Sequence, residues 1–113
     1  MSKFGFYSDK PAAISFESHL SSLEEHAKAL LLDLRNFVRS LGSNVIEEIR
    51  PHRIVYAKSL TFRTFLDIQP RNDRLIISIR KGRTEAPANH IAKSTQELEF
   101  LKREIEETYN TIK

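Results

Sequence analysis

The stretch Thr61–Lys81, TFRTFLDIQPRNDRLIISIRK, decides the fold because two apolar runs lie on either side of a short polar turn. In the second run Leu75, Ile77 and Ile79 alternate with the residues between them, which is the period-two pattern of a strand with one buried face. The first run is rich in aromatic and β-branched residues, and Pro70 is predicted to end it because proline cannot donate a ladder hydrogen bond. The stretch therefore predicts a β-hairpin.

Two helices are predicted on either side of this β region. Apolar residues recurring at a period of 3.6 predict a helix over Ser22–Leu41, and Gly42 is predicted to end it in the left-handed conformation. A second apolar stripe predicts a helix that begins near Thr95. Capping-box spacing occurs near both starts, in the pairs Ser21–Glu24, Ser22–Glu25 and Ser94–Glu97.

Further strands are predicted before the hairpin. The runs Val45–Arg50 and Arg53–Lys58 are rich in β-branched residues and are separated by Pro51. A short leading strand is predicted at Ile14–Phe16, and a short trailing strand at His90–Lys93. The region Asn44–Arg80 is therefore predicted to hold four consecutive antiparallel strands.

These elements predict one α+β domain over residues 1–113. Each helix has a single apolar stripe, and the hairpin has one apolar face. We therefore expect two layers in the order (β)-α-β4-α, with one curved antiparallel sheet and both helices on one of its faces.

The composition excludes several classes of protein. The chain has no cysteine, which rules out a disulfide framework, a thiolate metal site and a thiol nucleophile. No apolar stretch is long enough to cross a bilayer, and the N-terminal residues lack the apolar core of a signal peptide. We expect a cytoplasmic protein without a cofactor or a membrane association.

Charge is distributed unevenly along the chain. The range Arg50–Arg83 contains nine basic residues against two acidic ones, a net charge of +7, whereas the whole chain carries +3. The last predicted helix carries an excess of glutamates. The predicted sheet is therefore the basic part of the molecule.

Several stretches carry a family resemblance: the Val45–Arg50 strand, IVYAK, FLDIQP, RLIISIR and a closing helix ending in ETYN. Over roughly Leu20–Tyr109 the chain resembles a family of small uncharacterised microbial domains, some labelled "predicted transport protein". The resemblance includes a stand-alone archaeal member whose fold is likened to that of the TATA-binding protein. It implies a TATA-binding-protein-like fold and, because some members are fused to nuclease-type domains, an association with nucleic acid. It assigns no activity to particular residues.

The side chains capable of catalysis do not form a recognisable site. The four histidines, His19, His26, His52 and His90, lack the paired spacing of a zinc site, and we interpret them as partly exposed residues without a metal. Glu47 and Glu48 are adjacent on a predicted strand, so they should point to opposite faces as solvated charges. We predict no catalytic residue and no metal site, and therefore not an enzyme.

Asp67 is the carboxylate of most interest because it lies within an apolar run. A restriction-type nuclease would have Glu-x-Lys on the strand that follows, and that pattern is missing. We therefore predict that Asp67 pairs with an arginine across the sheet, such as Arg74 or Arg80.

The sheet face away from the helices is the remaining candidate for a binding surface. Cations interleaved with an aromatic residue suit nucleic-acid binding through phosphate contacts and stacking. One alternative is a solvated face that confers solubility, and another is a protein-interaction or dimer interface across Val55, Phe65 and Ile76. The candidate nucleic-acid-binding residues are Arg53, Arg63, Phe65, Arg74, Arg80 and Lys81.

Overall fold

The computed structural model describes residues 15–59, 63–82 and 84–112. The described helices and strands are α1 (Phe16–Ser21), α2 (Glu25–Arg39), β1 (Val45–Ile49), β2 (Ile54–Lys58), β3 (Arg63–Arg71), β4 (Arg74–Ile79), β5 (Ala88–Ala92) and α3 (Thr95–Thr111). The five strands form one antiparallel sheet in chain order, so each strand pairs with the next. The predicted α+β class and single antiparallel sheet are confirmed.

The α2 and α3 helices pack against each other and on the same face of the sheet. Leu75, Ile77 and Ile79 are buried under them, which confirms the predicted inward face of the second hairpin strand. Burying large aliphatic side chains stabilises the fold by roughly 1.5–3 kcal/mol each. The core also contains Leu31 and Leu34 from α2 and Leu98 and Ile105 from α3.

A β-bulge in β3 changes the side to which its first residues point. Tyr56 pairs with Leu66 but Ala57 pairs with Thr64, so Phe65 is an extra residue on β3. Phe65 and Leu66 are therefore both buried on the helix side, where the Phe65 ring packs edge-on against Tyr109 with centroids 5.5 Å apart. Period-two alternation across the whole strand would have placed Phe65 outside.

The hairpin turn contains only Asn72 and Asp73, because Arg71 pairs with Arg74. The prediction that Pro70 ends β3 is wrong, since Pro70 pairs with Leu75 inside the strand. With a two-residue turn, the closing pair Arg71–Arg74 is hydrogen-bonded and the next pair, Pro70–Leu75, is not. The backbone nitrogen of Pro70 therefore points away from β4 and towards the β2 side of the strand. The β2 pairing has already ended at Ile68, so the missing N–H removes no bond there.

The start of α3 agrees with its prediction, and the start of α2 does not. Ser94 accepts a hydrogen bond from the Glu97 amide at 3.2 Å, which confirms that cap. The α2 helix instead begins after Glu24, which makes no side-chain cap bond, and Ser22 ends the separate α1 helix. The Glu24 amide is satisfied by the Asn72 carbonyl of the hairpin turn at 2.7 Å, so tertiary contact replaces the predicted capping boxes.

Two further predictions are wrong: the leading strand at the position of α1, and the left-handed conformation of Gly42 after α2. Ser15 caps α1 and Phe16 is its first helical residue, so these two positions start a helix rather than form a leading strand, while Ile14 lies outside the described residues. Gly42 is not left-handed, and what requires glycine there is that a Cβ atom would overlap the hydroxyl of Tyr109. The trailing strand is present as β5, Ala88–Ala92.

Candidate functional site

The outer face of the sheet is the face that points away from α2 and α3. Strand pairing arranges its residues in rows that run across the strands. One row contains Asp67 opposite Ser78 and Asn89, and the next contains Gln69 opposite Ile76 and Ile91. Among the described residues no helix covers this face. It is therefore a sheet face that we consider as a binding surface.

The predicted site residues divide between the two faces. Arg53, Arg74 and Arg80 lie on the outer face, as the alternation of their strands requires. Arg63 and Phe65 do not, because the bulge places both on the helix side, and the Arg63 guanidinium donates to the Lys81 carbonyl at 2.9 Å. The Lys81 side chain lines a cavity beside α3, so it too leaves the outer face.

Asp67 lies at the centre of the outer face and pairs with Arg53. The Arg53 Nη1 donates to Asp67 Oδ2 at 2.8 Å, so the predicted pairing with Arg74 or Arg80 is wrong. Val55 lies opposite Asp67 in the β2–β3 register, so Arg53 reaches the carboxylate from a neighbouring position on the same face. The other carboxylate oxygen, Oδ1, is buried and has no hydrogen-bond partner among the described residues.

A cavity of about 160 Å³ opens beside this carboxylate. Its lining combines cationic, hydroxyl and carboxylate side chains with two apolar residues. Ser78 donates to Asn89 Oδ1 at 2.6 Å, and Arg80 Nη1 donates to the Glu85 carbonyl at 3.2 Å, so both side chains are held in place. The lining residues are Arg53, Thr64, Leu66, Asp67, Ser78, Arg80 and Pro87.

A second feature of the outer face is a row of cations at the hairpin end. Arg71 pairs with Arg74, and continuing the β4–β5 register places Lys93 beside Arg74, where Lys93 also lines a cavity with His26 and Asp33 of α2. The hydrogen bond from Arg74 and the charge of Lys93 both lower the pKa of Asp73, so this carboxyl is ionised at neutral pH. Arg71 donates to the neutral Gln69 at 3.1 Å and, within the described residues, forms no ion pair. This cation row, Arg71, Arg74 and Lys93, was only partly visible in the sequence, because Arg71 and Lys93 join it through the tight turn and the β5 pairing.

The apolar surface lies elsewhere, at the β5 edge. Val55 and Phe65 are buried, so the predicted apolar interface across Val55, Phe65 and Ile76 does not exist as an exposed patch. Ile91 and Phe100 are instead 53% and 70% exposed and border a groove between β5 and the first turns of α3. Edge strands with exposed backbone groups are common sites of strand pairing.

A polar network lies on the helix side of β1 and β2. Arg35 on α2 donates to Glu47 from Nε at 2.9 Å and from Nη2 at 2.8 Å, and the Tyr56 hydroxyl donates to the same carboxylate at 2.6 Å. Burial raises the pKa of Glu47, but the bonds from Arg35 and Tyr56 outweigh it and leave that pKa below its usual value. Burial and the bond to Glu47 both raise the pKa of Tyr56.

Glu47 and Glu48 do point to opposite faces, but only Glu48 is a solvated charge. The network around Glu47 connects α2 to the sheet and is fully hydrogen-bonded, so it has the features of a structural contact. The Arg35 guanidinium also lies 4.0 Å above the Phe16 ring, which fixes α1 against the same corner.

The histidines are structural where the structure describes their contacts. His19 is buried, contrary to the prediction that it is partly exposed, and its Nε2 donates to the Arg50 carbonyl at 2.7 Å. His26 donates to the Asp73 carbonyl at 2.8 Å and helps to hold α2 on the hairpin turn. In residues 15–59, 63–82 and 84–112 no group of three or more potential ligands is placed to hold a metal ion. Among the same residues, no helix combines the length and the apolar character needed to cross a membrane.

Comparison with protein-family models, with curated proteins and with solved structures finds no match for this chain. A function is therefore argued from the cation row, the Asp67 cavity and the β5 edge.

Proposed function

We propose that this protein is a non-catalytic module that binds single-stranded nucleic acid on the outer face of its sheet. The observation that carries the proposal is the cation row Arg71, Arg74 and Lys93 at the hairpin end of the sheet, where Arg71 and Arg74 lie on the outer face and Lys93 also lines a cavity beside α2. Among the residues that the structure describes, only Asp73 forms an ion pair with the row, through its bond to Arg74. Cations spaced across neighbouring strands can contact successive phosphates of an extended chain that crosses the sheet.

The apolar neighbours of the row support single strands as the ligand. Ile76 pairs with Ile91 in the adjoining row, and Ile91 is largely exposed. A single strand presents unstacked bases to such a surface, whereas a duplex presents mainly phosphates. With Phe65 buried, the outer face lacks the expected stacking residue, so phosphate contacts are expected to supply most of the affinity.

The likeness to the TATA-binding-protein fold belongs to this proposal. That likeness implies an antiparallel sheet with helices behind it and an open face in front, which is the arrangement that a sheet-face binding module needs. The cytoplasmic location expected from the sequence accompanies the proposal as a further expectation.

The proposal is tested by fluorescence anisotropy with labelled single- and double-stranded oligonucleotides across a salt series. For single strands log K should fall by about 0.7 per phosphate contact for each tenfold rise in salt. Arg71→Ala and Lys93→Ala should each weaken binding and lower that slope by about one contact. Arg103→Ala on the exposed side of α3 is the matched control and should change neither quantity. Absence of binding to both forms at low salt would refute the proposal.

A second candidate function is self-association through the β5 edge. The observation that favours it is the exposure of Ile91 and Phe100 beside an edge strand that carries no charged residue between Ala88 and Ala92. Light scattering on the same samples distinguishes the two functions. A mass that rises with protein concentration and falls to that of the monomer in Phe100→Ser would support self-association, and a constant monomer mass would exclude it.

A further inference from the structure

The β5 edge has backbone groups that strand pairing leaves free. The pair Arg71–Arg74 closes the two-residue hairpin and is hydrogen-bonded, so the residues of β4 bond alternately to β3 and to β5. Carried across the β4–β5 register, this alternation makes every second residue from Ala88 to Ala92 bond to β4. The N–H and C=O groups of Asn89 and Ile91 therefore point away from the sheet.

A hydrogen bond at the end of β5 agrees with this direction. The next backbone nitrogen in the same alternation is that of Lys93, and it donates to Glu97 Oε1 at 2.7 Å rather than to β4. In the part of the chain that the structure describes, the outward backbone groups of Asn89 and Ile91 have no such partner. A free strand edge can accept an added strand through main-chain hydrogen bonds.

The groove between β5 and the first turns of α3 lies next to this free edge. Its lining residues are His90, Ile91, Gln96, Glu97, Phe100 and Leu101. Its volume of about 380 Å³ is in the range of about 300–1,000 Å³ of pockets that hold small ligands, so it has room for one large side chain. Every second side chain of an added strand would point to the helix side, where Phe100 is 70% exposed. Covering Phe100 would remove apolar surface from water.

The carboxylates beside the groove favour a basic partner. Glu97 lines the groove, and Glu104 Oε1 lies 3.6 Å from His90 Nε2, so both carboxylates are on the β5 side of α3. A cation two residues from an apolar anchor lies on the same face of an extended segment, about 7 Å away. A second copy paired through β5 would instead bring these carboxylates next to their own counterparts. Like charges would then oppose the contact, so the charges favour a basic segment over a second copy.

We propose that the groove and the β5 edge bind an extended, basic segment of a partner protein, which pairs antiparallel with β5 as a further strand of the sheet. A large apolar residue opposite His90 packs on Phe100, and a lysine or arginine two positions along the segment lies near Glu104. The antiparallel direction follows that of the described sheet and is the slightly more stable of the two. This interaction is separate from the proposed nucleic-acid binding and uses the edge of the sheet rather than its outer face.

The test uses fluorescence anisotropy with a labelled synthetic probe of about seven residues, in which a phenylalanine is flanked by valines and then by lysines. With the phenylalanine opposite His90, the valines lie opposite Asn89 and Ile91 and their N–H groups donate to β5, whereas the phenylalanine N–H points to solvent. N-methylation of both valines should abolish saturable binding, and N-methylation of the phenylalanine should preserve it. Equal binding of the two methylated probes, or no binding of the unmethylated one, would overturn the inference.

Two matched charge reversals on α3 test the place of the basic residue. Glu104→Lys should weaken binding of the lysine probe roughly fivefold and strengthen binding of a probe with glutamates in place of the lysines. Glu106→Lys is the control, because Glu106 is exposed on α3 and does not line the groove. Equal weakening by both variants would refute the contact with Glu104. A dimer in light scattering that the probe does not dissociate would assign the edge to a second copy and overturn the inference. The methylated probes decide the matter even if Glu104→Lys does not fold.

Discussion

The two neighbouring glutamates of β1 allow a controlled measurement of what the inner polar network contributes to stability. Glu47→Gln keeps the shape of the side chain but removes the charge that meets Arg35. The Arg35 and Glu47 side chains are only 24% and 16% exposed, and their contact is bidentate. Glu48→Gln is the control, since Glu48 is 56% exposed and pairs with Arg50, which is 49% exposed.

The expected cost of Glu47→Gln follows from these exposures. Removing one partner of a fully buried ion pair destabilises a protein by about 3–5 kcal/mol, and an exposed pair contributes about 0–1 kcal/mol. The Arg35–Glu47 pair lies between these limits, so we expect about 2 kcal/mol for Glu47→Gln and less than about 0.5 kcal/mol for Glu48→Gln. Part of the cost arises because Tyr56 and the Arg35 Nε already share Oε2, so an amide NH2 in place of Oε1 leaves the Arg35 Nη2 without its acceptor.

Urea unfolding followed by circular dichroism measures both changes. With a slope of about 1.5 kcal/mol per molar urea, a loss of about 2 kcal/mol lowers the midpoint by about 1.3 M. The slope itself should not change. Equal midpoint shifts for Glu47→Gln and Glu48→Gln would refute the assignment of Glu47 to a stabilising inner network.

The pH dependence gives an independent check on the same carboxylate. The pKa of Glu47 is lowered in the folded protein, because the bonds from Arg35 and Tyr56 outweigh the effect of burial. Its contribution is therefore fully present above the ordinary glutamate pKa of about 4.3 and is lost as the pH falls through the lower folded value. The stability difference between wild type and Glu47→Gln should stay constant from pH 7 to about 5 and shrink below about 4. A difference that grows on acidification would contradict the direction of the shift.

Two further substitutions test local contacts. Ser94→Ala should lower the free energy of unfolding by about 1 kcal/mol, because it removes the cap of α3. Ser21 is the control, since its hydroxyl bonds only to the Ser18 carbonyl in the described structure. Ser21→Ala should change the stability by less than about 0.5 kcal/mol in the same thermal melts. Gly42→Ala should cost about 1 kcal/mol because the new Cβ meets the Tyr109 hydroxyl, and this cost should be smaller in a Tyr109→Phe background, where only the ring carbon remains in contact. Additive effects in the double-mutant cycle would refute the contact.

The sequence was sufficient to predict the elements that a periodic apolar pattern defines. The alternation of Leu75, Ile77 and Ile79 gave the right inward face, and the two helical stripes gave the right layer, because burial is averaged over many residues. The cap at Ser94 was also correct, since a cap involves residues only three positions apart.

The predictions that failed depend on contacts between distant parts of the chain. The bulge at Phe65 shifts the register by one residue, and alternation within β3 alone contains no signal for it. The start of α2 is set by Asn72, which is far away in sequence. The partner of Asp67 is Arg53, and the choice among several arginines depends on the register of three strands.

Only some residues of the candidate site could be predicted from the sequence. Arg53, Arg74 and Arg80 follow from alternation, whereas the removal of Arg63 and Phe65 from the outer face follows only from the bulge. Arg71 was accessible in principle, because Asn-Asp between two β runs is a turn signal that places the flanking arginines opposite each other. The buried, unpartnered oxygen of Asp67 is a property of the folded surface and has no counterpart in the sequence.

The separation between the cation row and the Asp67 cavity determines which substitutions change the salt dependence of binding. Arg71 is four residues from Asp67 along β3, which is about 13 Å in an extended strand. This exceeds the Debye length of about 8 Å at physiological salt, so neutralising the row changes the potential at the cavity little. Arg53, one of the two arginines of the cavity, is also already paired with Asp67, whereas Arg71 bonds only to a neutral side chain among the described residues. Substitutions in the row should therefore scale the affinity for all strands alike, whereas substitutions at Asp67 should leave the salt slope unchanged.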